Sequence, residues 1–308
     1  MKLNKVVLAL ATTAALMTTA CGSGGNNPLS TGSSSSSGSG GATSITVGSA
    51  DFPESQLLAE IYAGALQAKG ITVNKKLNIG AREAYIPALQ DGSIDLIPEY
   101  TGVLTQYFNK NAKATDADGV YAELKASLPD KLEVLDKSAA EDKDSVVMSK
   151  KKADELGVKS IADLQGKAKD LVLGGPPEWK TRPTGVPGLK KVYGLEFKSF
   201  RALDAGGPLT VAALKNGQIQ AGNLFTTDPN IAKNDFVVLD DPKHLFAAQN
   251  VVPLITKAKD NDTITQALNA VSAKLDTQTL AALLTEVVVD KKDASAVAKE
   301  FLTKNGLA

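Results

Sequence analysis

Apolar residues along the chain alternate between the two-residue spacing of strands and the 3.6-residue spacing of helices. Ile45-Thr-Val-Gly48 reads as a short strand. Asp51-Phe-Pro-Glu54 has the spacing of a capping box, with proline early in the helix. Leu57, Leu58, Ile61, Tyr62, Ala65 and Leu66 follow at helical spacing, and Gly70 marks the helix end. Ile71 to Ile79 reads as a second strand, 82–91 as a second helix and Ser93 to Ile97 as a third strand. That order predicts a parallel sheet with crossover helices. Ligands of such sheets bind beyond the carboxyl ends of the strands, here the loops 48–54, 79–83 and 98–103.

The middle of the chain repeats the pattern. Strands are predicted at Ser145–Ser149, Leu171–Gly175, Phe197–Leu203, Ile219–Leu224, Phe236–Leu239 and Val251–Thr256, with helices near 187–193 and 208–216. A proline-rich loop holding Pro176, Pro177, Pro183 and Pro187 follows the Leu171 strand. The tail is helical, with stripes at Ile264, Leu268, Val271 and Leu275, at Leu280, Leu283, Leu284 and Val287, and at Val297, Phe301 and Leu302. Two α/β units and a helical tail predict a two-lobed protein with a cleft.

The N-terminus changes the picture of where such a protein works. Lys2 and Lys5 precede an apolar run from Val6 to Met17, shorter than the ~20 residues of a membrane span. This reads as a signal peptide over 1–20. The cut falls before Cys21, the only cysteine, and Leu16-Met-Thr-Thr-Ala-Cys21 resembles a lipobox, departing from it at Thr18. A lone thiol at a new N-terminus fits a lipidated Cys21. Residues 21–43 are mostly Gly and Ser, a tether unable to bury a core.

Composition narrows the chemistry. Lys plus Arg and Asp plus Glu both total 34, so nothing argues for nucleic acid. One histidine and no cysteine beyond the lipobox leave poor material for nucleophilic catalysis or a histidine metal site, so neither enzyme activity, metal nor cofactor is expected. His244, in Asp-Asp-Pro-Lys-His, reads as a solvated turn.

Three stretches carry a likeness: Gly48-Ser-Ala-Asp-Phe-Pro-Glu54, Gly80-Ala-Arg-Glu-Ala-Tyr-Ile-Pro-Ala-Leu89 and Gly92-Ser-Ile-Asp-Leu-Ile-Pro-Glu-Tyr-Thr-Gly102. With Tyr193-Gly194, Ala213-Leu-Lys-Asn-Gly217, Phe225-Thr-Thr-Asp228 and Val238-Leu-Asp-Asp-Pro-Lys243, they resemble the glycine betaine/choline-binding proteins of osmoprotectant ABC importers. The resemblance implies an α/β, class II periplasmic-binding-protein fold with two hinge-crossing strands. Lobe 1 would be 44–145 and 252–308, and lobe 2 would be 146–251. It implies a monomeric solute-binding lipoprotein working with a membrane permease and its ATPase.

The resemblance also implies an aromatic cage for a quaternary ammonium. Its ring positions fall on Tyr100 and Phe225, and on Ser145 and Gln249, where the rings are replaced. Arg182 would hold a ligand carboxylate, Trp179 could restore a ring, and Phe52, Pro53, Thr227 and Asp228 complete the expected site. Bare residue reading keeps alternatives beside these: Arg182 paired with Glu178 on the surface, Arg82 with Glu83 at a helix start, and Asp228 as a turn cap. Ser145 and Gln249 leave open a different small polar or aromatic ligand, and a surface solute sensor is the rival role.

Overall fold

A computed structural model describes residues 44–308. The signal peptide, Cys21 and the Gly/Ser tether lie outside the described residues. In chain order the strands and helices begin with β1 (Ser44–Gly48), α1 (Pro53–Gln67), β2 (Thr72–Lys76), α2 (Arg82–Gln90), β3 (Leu96–Tyr100), α3 (Thr101–Phe108), α4 (Ala117–Ser127), β4 (Leu132–Val134) and β5 (Asp144–Ser149). They continue with α5 (Lys150–Leu156), β6 (Val172–Gly175), α6 (Val186–Tyr193), β7 (Ser199–Ala202), α7 (Pro208–Lys215), β8 (Ala221–Phe225), α8 (Asn230–Lys233), β9 (Phe236–Val238) and β10 (Val251–Thr256). Three helices, α9 (Asp262–Ser272), α10 (Thr277–Val288) and α11 (Ala294–Lys304), close the chain.

The strands form two five-stranded sheets, ordered β2-β1-β3-β10-β4 and β7-β6-β8-β5-β9. In the first, β1 runs parallel to β2 and β3, while β10 runs antiparallel to β3 and β4. The second has the same mixture: β6 is parallel to β7 and β8, and β5 is antiparallel to β8 and β9. The chain passes between the sheets after β4 and returns before β10. The two passing segments are stitched together by an antiparallel bridge between Glu141 and Asn250 and by Asp142 N donating to Gln249 O.

Strand periodicity explains the layers. On β10, Val251 and Ile255 enter the core beneath α1, α9 and α11, and Val252 and Leu254 enter the opposite core with Ile86, Leu89 and Leu104. On β5, Val146 and Met148 face one core of the second sheet and Val147 faces the other. Both faces of each sheet are covered at its centre, so the inner strands β3, β10, β5 and β8 are buried nearly throughout, while the edge strands β2 and β7 are mostly exposed.

The elements differ from expectation at two places that matter. The capping box at Asp51 does not form: Phe52 is the N-cap of α1, with no side-chain cap bond. The third strand lies at Leu96–Tyr100, not 93–97. Proline and a glutamate disguise it, since Pro98 is opposite Pro253 of β10 and the Glu99 carboxylate is fully buried.

Candidate functional site

Glu99 organises one wall of the cleft. It accepts from Arg82 Nε at 2.7 Å, Arg82 Nη2 at 2.8 Å, Tyr85 Oη at 2.7 Å and the Tyr100 amide at 2.9 Å. A buried carboxylate is tolerable only when so fully paired. The network pins α2 to the end of β3 and presents Arg82, Tyr85 and Tyr100 to the space between the sheets. Arg82 thus pairs with Glu99 and not with its neighbour Glu83.

Across that space stand residues of the second sheet and its loops. Phe52, Tyr100 and Phe225 make an aromatic file, with ring centroids 6.1 Å apart for Phe52–Tyr100 and 5.1 Å for Phe52–Phe225. Tyr100 spends its hydroxyl on Glu54, donating to Oε1 at 2.7 Å. It therefore offers the cleft a ring and no free hydrogen-bond donor. Trp179 sits in the proline-rich loop, stacked on Phe246 at 6.4 Å and almost wholly buried. Asp144, Asn223 and Gln249 complete the lining around a cavity of about 50 Å³, room for a few waters.

Arg182 lines this cavity, yet its guanidinium is engaged elsewhere. Nε and Nη2 donate to Oε1 and Oε2 of Glu83 at 3.1 and 2.8 Å, a forked ion pair joining the loop after β6 to the start of α2. Glu178 is a looser partner at 3.8 Å. Arginine holds the Glu83 carboxyl below its ordinary range, against the opposing effect of partial burial.

The cleft brings together Tyr100, Phe225, Trp179, Gln249, Arg182 and Phe52 from the expected set. Ser145 is not among the lining residues. Strand alternation turns it away, and its hydroxyl donates to Leu224 O at 2.7 Å. The residue of β5 that lines the cleft is Asp144, with Asn223 of β8 beside it. Sequence reading missed both; placing the β5 start one residue earlier and applying the two-residue period would have found Asp144.

Pro53, Thr227 and Asp228 lie on the far side of Phe52 and Phe225, lining a wider groove of about 370 Å³ rimmed by Lys215, Lys233 and Lys291. Asp228 acts as the turn cap, its Oδ1 accepting from the Asn230 amide and side chain. Thr227 Oγ1 donates to Glu54 Oε2 at 2.5 Å, and its amide donates to Asp142 Oδ1 at 3.0 Å. Glu54 and Asp142 form a buried carboxyl pair. Burial and the negative charge of Glu54 hold Asp142 well above the usual carboxylate range. Burial also raises Glu54, though hydroxyl donors from Thr227 and Tyr100 offset part of the rise.

Among the described residues no cluster of metal-ligating side chains occurs, and no helix is long and apolar enough to cross a membrane. His244 is exposed in its turn, with φ of 50°.

Known proteins are similar to this chain in sequence and in fold. The sequence model of the family described as "Substrate binding domain of ABC-type glycine betaine transport system" matches residues 43–304. The glycine-betaine-binding protein of Pseudomonas aeruginosa is 27% identical over 280 residues, 86% of this chain and 89% of that protein. An ergothioneine transport permease/ergothioneine binding protein of Helicobacter pylori is 27% identical over 257 residues, 82% of this chain and 46% of that longer polypeptide. The crystal structure of a glycine betaine/carnitine/choline ABC transporter protein matches with a TM-score of 0.67 at 22% identity, over 85% of this chain and 99% of that one. This last likeness is one of fold.

Proposed function

This chain belongs to the family of substrate-binding domains of ABC-type glycine betaine transport systems, and from that premise we propose that it binds a small glycine betaine- or choline-like osmoprotectant in the cleft between its two sheets. It is the extracytoplasmic substrate-binding component of an ABC importer and serves a permease and an ATPase. One observation carries the ligand reading: three aromatic rings, Phe52, Tyr100 and Phe225, stand in file at the wall of one cleft. Each ring face attracts a cation by ~0.5–2 kcal/mol.

The cleft walls are drawn together here by the Arg182–Glu83 pair, so a ligand enters when the walls part and is enclosed when they close. The segments around Glu141 and Asn250 act as the hinge in this reading. We assign one lobe to 44–145 and 252–308 and the other to 146–251. The protein acts as a monomeric binder rather than a catalyst, held to the membrane by acyl chains on Cys21, each buried CH₂ adding ~0.8 kcal/mol. Mass spectrometry of protein from its native membrane tests the acylation.

Titration calorimetry with glycine betaine, choline and their less methylated analogues tests the ligand reading. The expected result is one ligand per chain, with closure seen by small-angle scattering. Absence of binding by every member of the panel would overturn it.

A further inference from the structure

Glu54 joins the two sheets through both of its carboxyl oxygens. Oε1 accepts from Tyr100 Oη at 2.7 Å, at the end of β3 in the first sheet. Oε2 accepts from Thr227 Oγ1 at 2.5 Å, just beyond the end of β8 in the second sheet. The same threonines hold Asp142, in a segment passing between the sheets. Its Oδ1 accepts from the Thr227 amide at 3.0 Å and from Thr226 Oγ1 at 3.2 Å. Phe225 immediately precedes these threonines, so two rings of the aromatic file, Tyr100 and Phe225, are set by groups bonded to one pair of carboxyls.

Glu54 and Asp142 are each buried, and no cation compensates them. Lys143, next in the chain, pairs with Glu141, Arg82 pairs with Glu99, and Arg182 pairs with Glu83. Lys215, Lys233 and Lys291 rim the groove outside Glu54, and among the described residues none of them forms an ion pair with it. The other charges nearby are negative: Asp228 acts on Glu54, and Asp51 and Asp144 line the cavity beside Asp142. The pair is thus held by neutral hydroxyl and amide donors alone. Two ionised carboxylates in that setting meet both desolvation and mutual repulsion, and a shared proton relieves both. Burial raises both carboxyls above their ordinary range, and the charge of Glu54 adds to the rise at Asp142.

Parting of the sheets takes Thr226 and Thr227 away from the pair and admits water, which returns both acids toward their ordinary range. Resting on the cleft being the ligand site, we propose that ligand-driven closure takes up a proton onto the Glu54–Asp142 pair, and that Glu54 is the positioning residue that clasps Tyr100 to Thr227 across the cleft. It acts on the ligand through the rings of Tyr100 and Phe225. The closed form holds more protons than the open one. Affinity is therefore fully present below the ordinary carboxylate range and declines as pH rises through the raised values of the closed form.

Calorimetry on the purified protein tests this with glycine betaine and choline, neither of which titrates between about pH 5 and 8. Each titration is repeated in buffers of different ionisation enthalpy, which counts the protons exchanged. We expect uptake to reach about 0.5–1 proton per ligand within that range, with affinity there falling about threefold to tenfold per pH unit. Asp142→Asn and Glu54→Gln each leave a single carboxyl with an amide donor beside it. Either variant is expected to abolish the uptake and flatten the pH profile of affinity. Binding with no proton uptake anywhere in the range overturns the inference and leaves the osmoprotectant reading intact. So does uptake that persists unchanged in a variant, since the proton then belongs to another group such as Asp144. Binding of neither ligand overturns both.

Discussion

Arg182 and Glu83 are 99 residues apart in sequence, and their side chains lock face to face across the mouth of the cleft at 3.1 and 2.8 Å. This is the forked geometry that makes arginine–carboxylate pairs directional. The pair is partly solvated, with Arg182 at 21% and Glu83 at 49% side-chain exposure, which limits its worth to about 0.2–1 kcal/mol. In the closure proposed above, its contribution belongs to the closed arrangement alone. Glu83→Ala is therefore expected to weaken ligand affinity by about twofold to fivefold, mainly through faster dissociation. Raising the salt concentration should mimic the substitution in the wild-type protein and do little in the variant. Stopped-flow measurements at two ionic strengths check both statements.

The Glu54–Asp142 pair predicts an acid-favoured stability. Thr227 binds both carboxyls, Tyr100 donates to Glu54, Thr226 Oγ1 reaches Asp142 at 3.2 Å, and Asp228 adds negative charge nearby. Both carboxyls titrate above their unfolded values. The folded state thus holds protons that the unfolded chain releases from about pH 4 upward. The stabilisation is fully present below that pH and is lost as pH rises through the raised folded values. Asp142→Asn keeps an acceptor for the Thr227 amide and gives Glu54 a donor. It should flatten the pH dependence and raise the melting temperature at pH 8 by about 2–4 °C, the equivalent of ~1 kcal/mol in a domain this size. Calorimetric melts from pH 5 to 8 provide the measurement.

Tyr100 separates two roles that a single deletion would mix. Its ring is in the aromatic file, while its hydroxyl is bonded to Glu54. Tyr100→Phe keeps the ring and strips a donor from a buried carboxylate, at about 1–3 kcal/mol of stability. Affinity should stay within about threefold of wild type. Tyr100→Ala also removes the ring, and affinity is expected to fall at least about fivefold. Paired melts and calorimetric titrations distinguish a hydroxyl that serves the fold from a ring that serves the ligand.

The legible part of this molecule was the part that obeys local rules. Val251–Thr256 is a run of apolar and β-branched residues, and its predicted ends match those of β10. The helices at 82–90 and 186–193 also fall close to where spacing placed them. The third strand was displaced because Pro98 and Glu99 contradict strand propensity, and only tertiary partners, Arg82 above all, make that stretch acceptable. The family likeness set Tyr100, Phe225, Gln249 and Arg182 on one cleft, and the proline-rich loop added Trp179, yet the likeness set Ser145 there in place of Asp144. A one-residue slip on a strand turns every side chain to the other face. The Arg182–Glu83 and Glu54–Thr227 contacts join residues far apart in sequence, so no window of local pattern contains them.

The loop that carries Trp179 depends on a glycine for space. Gly185 is the N-cap of α6, and a Cβ built there would lie 1.8 Å from the carbonyl oxygen of Trp179. Backbone cannot retreat as a flexible side chain can, so alanine would push the Trp179 turn away from α6. Trp179 is anchored by stacking on Phe246, within the core that also holds Leu189 and Tyr193. The displaced turn would disturb both that core and the cleft wall. Gly185→Ala should destabilise the protein by about 1–3 kcal/mol and weaken ligand binding more than Glu83→Ala does. Trp179 is the only tryptophan, so its emission reports on this turn directly. The variant is expected to show a red-shifted spectrum before ligand is added. An unchanged spectrum and melting temperature would mean that the turn accommodates a methyl group and that Gly185 does not hold the wall in place.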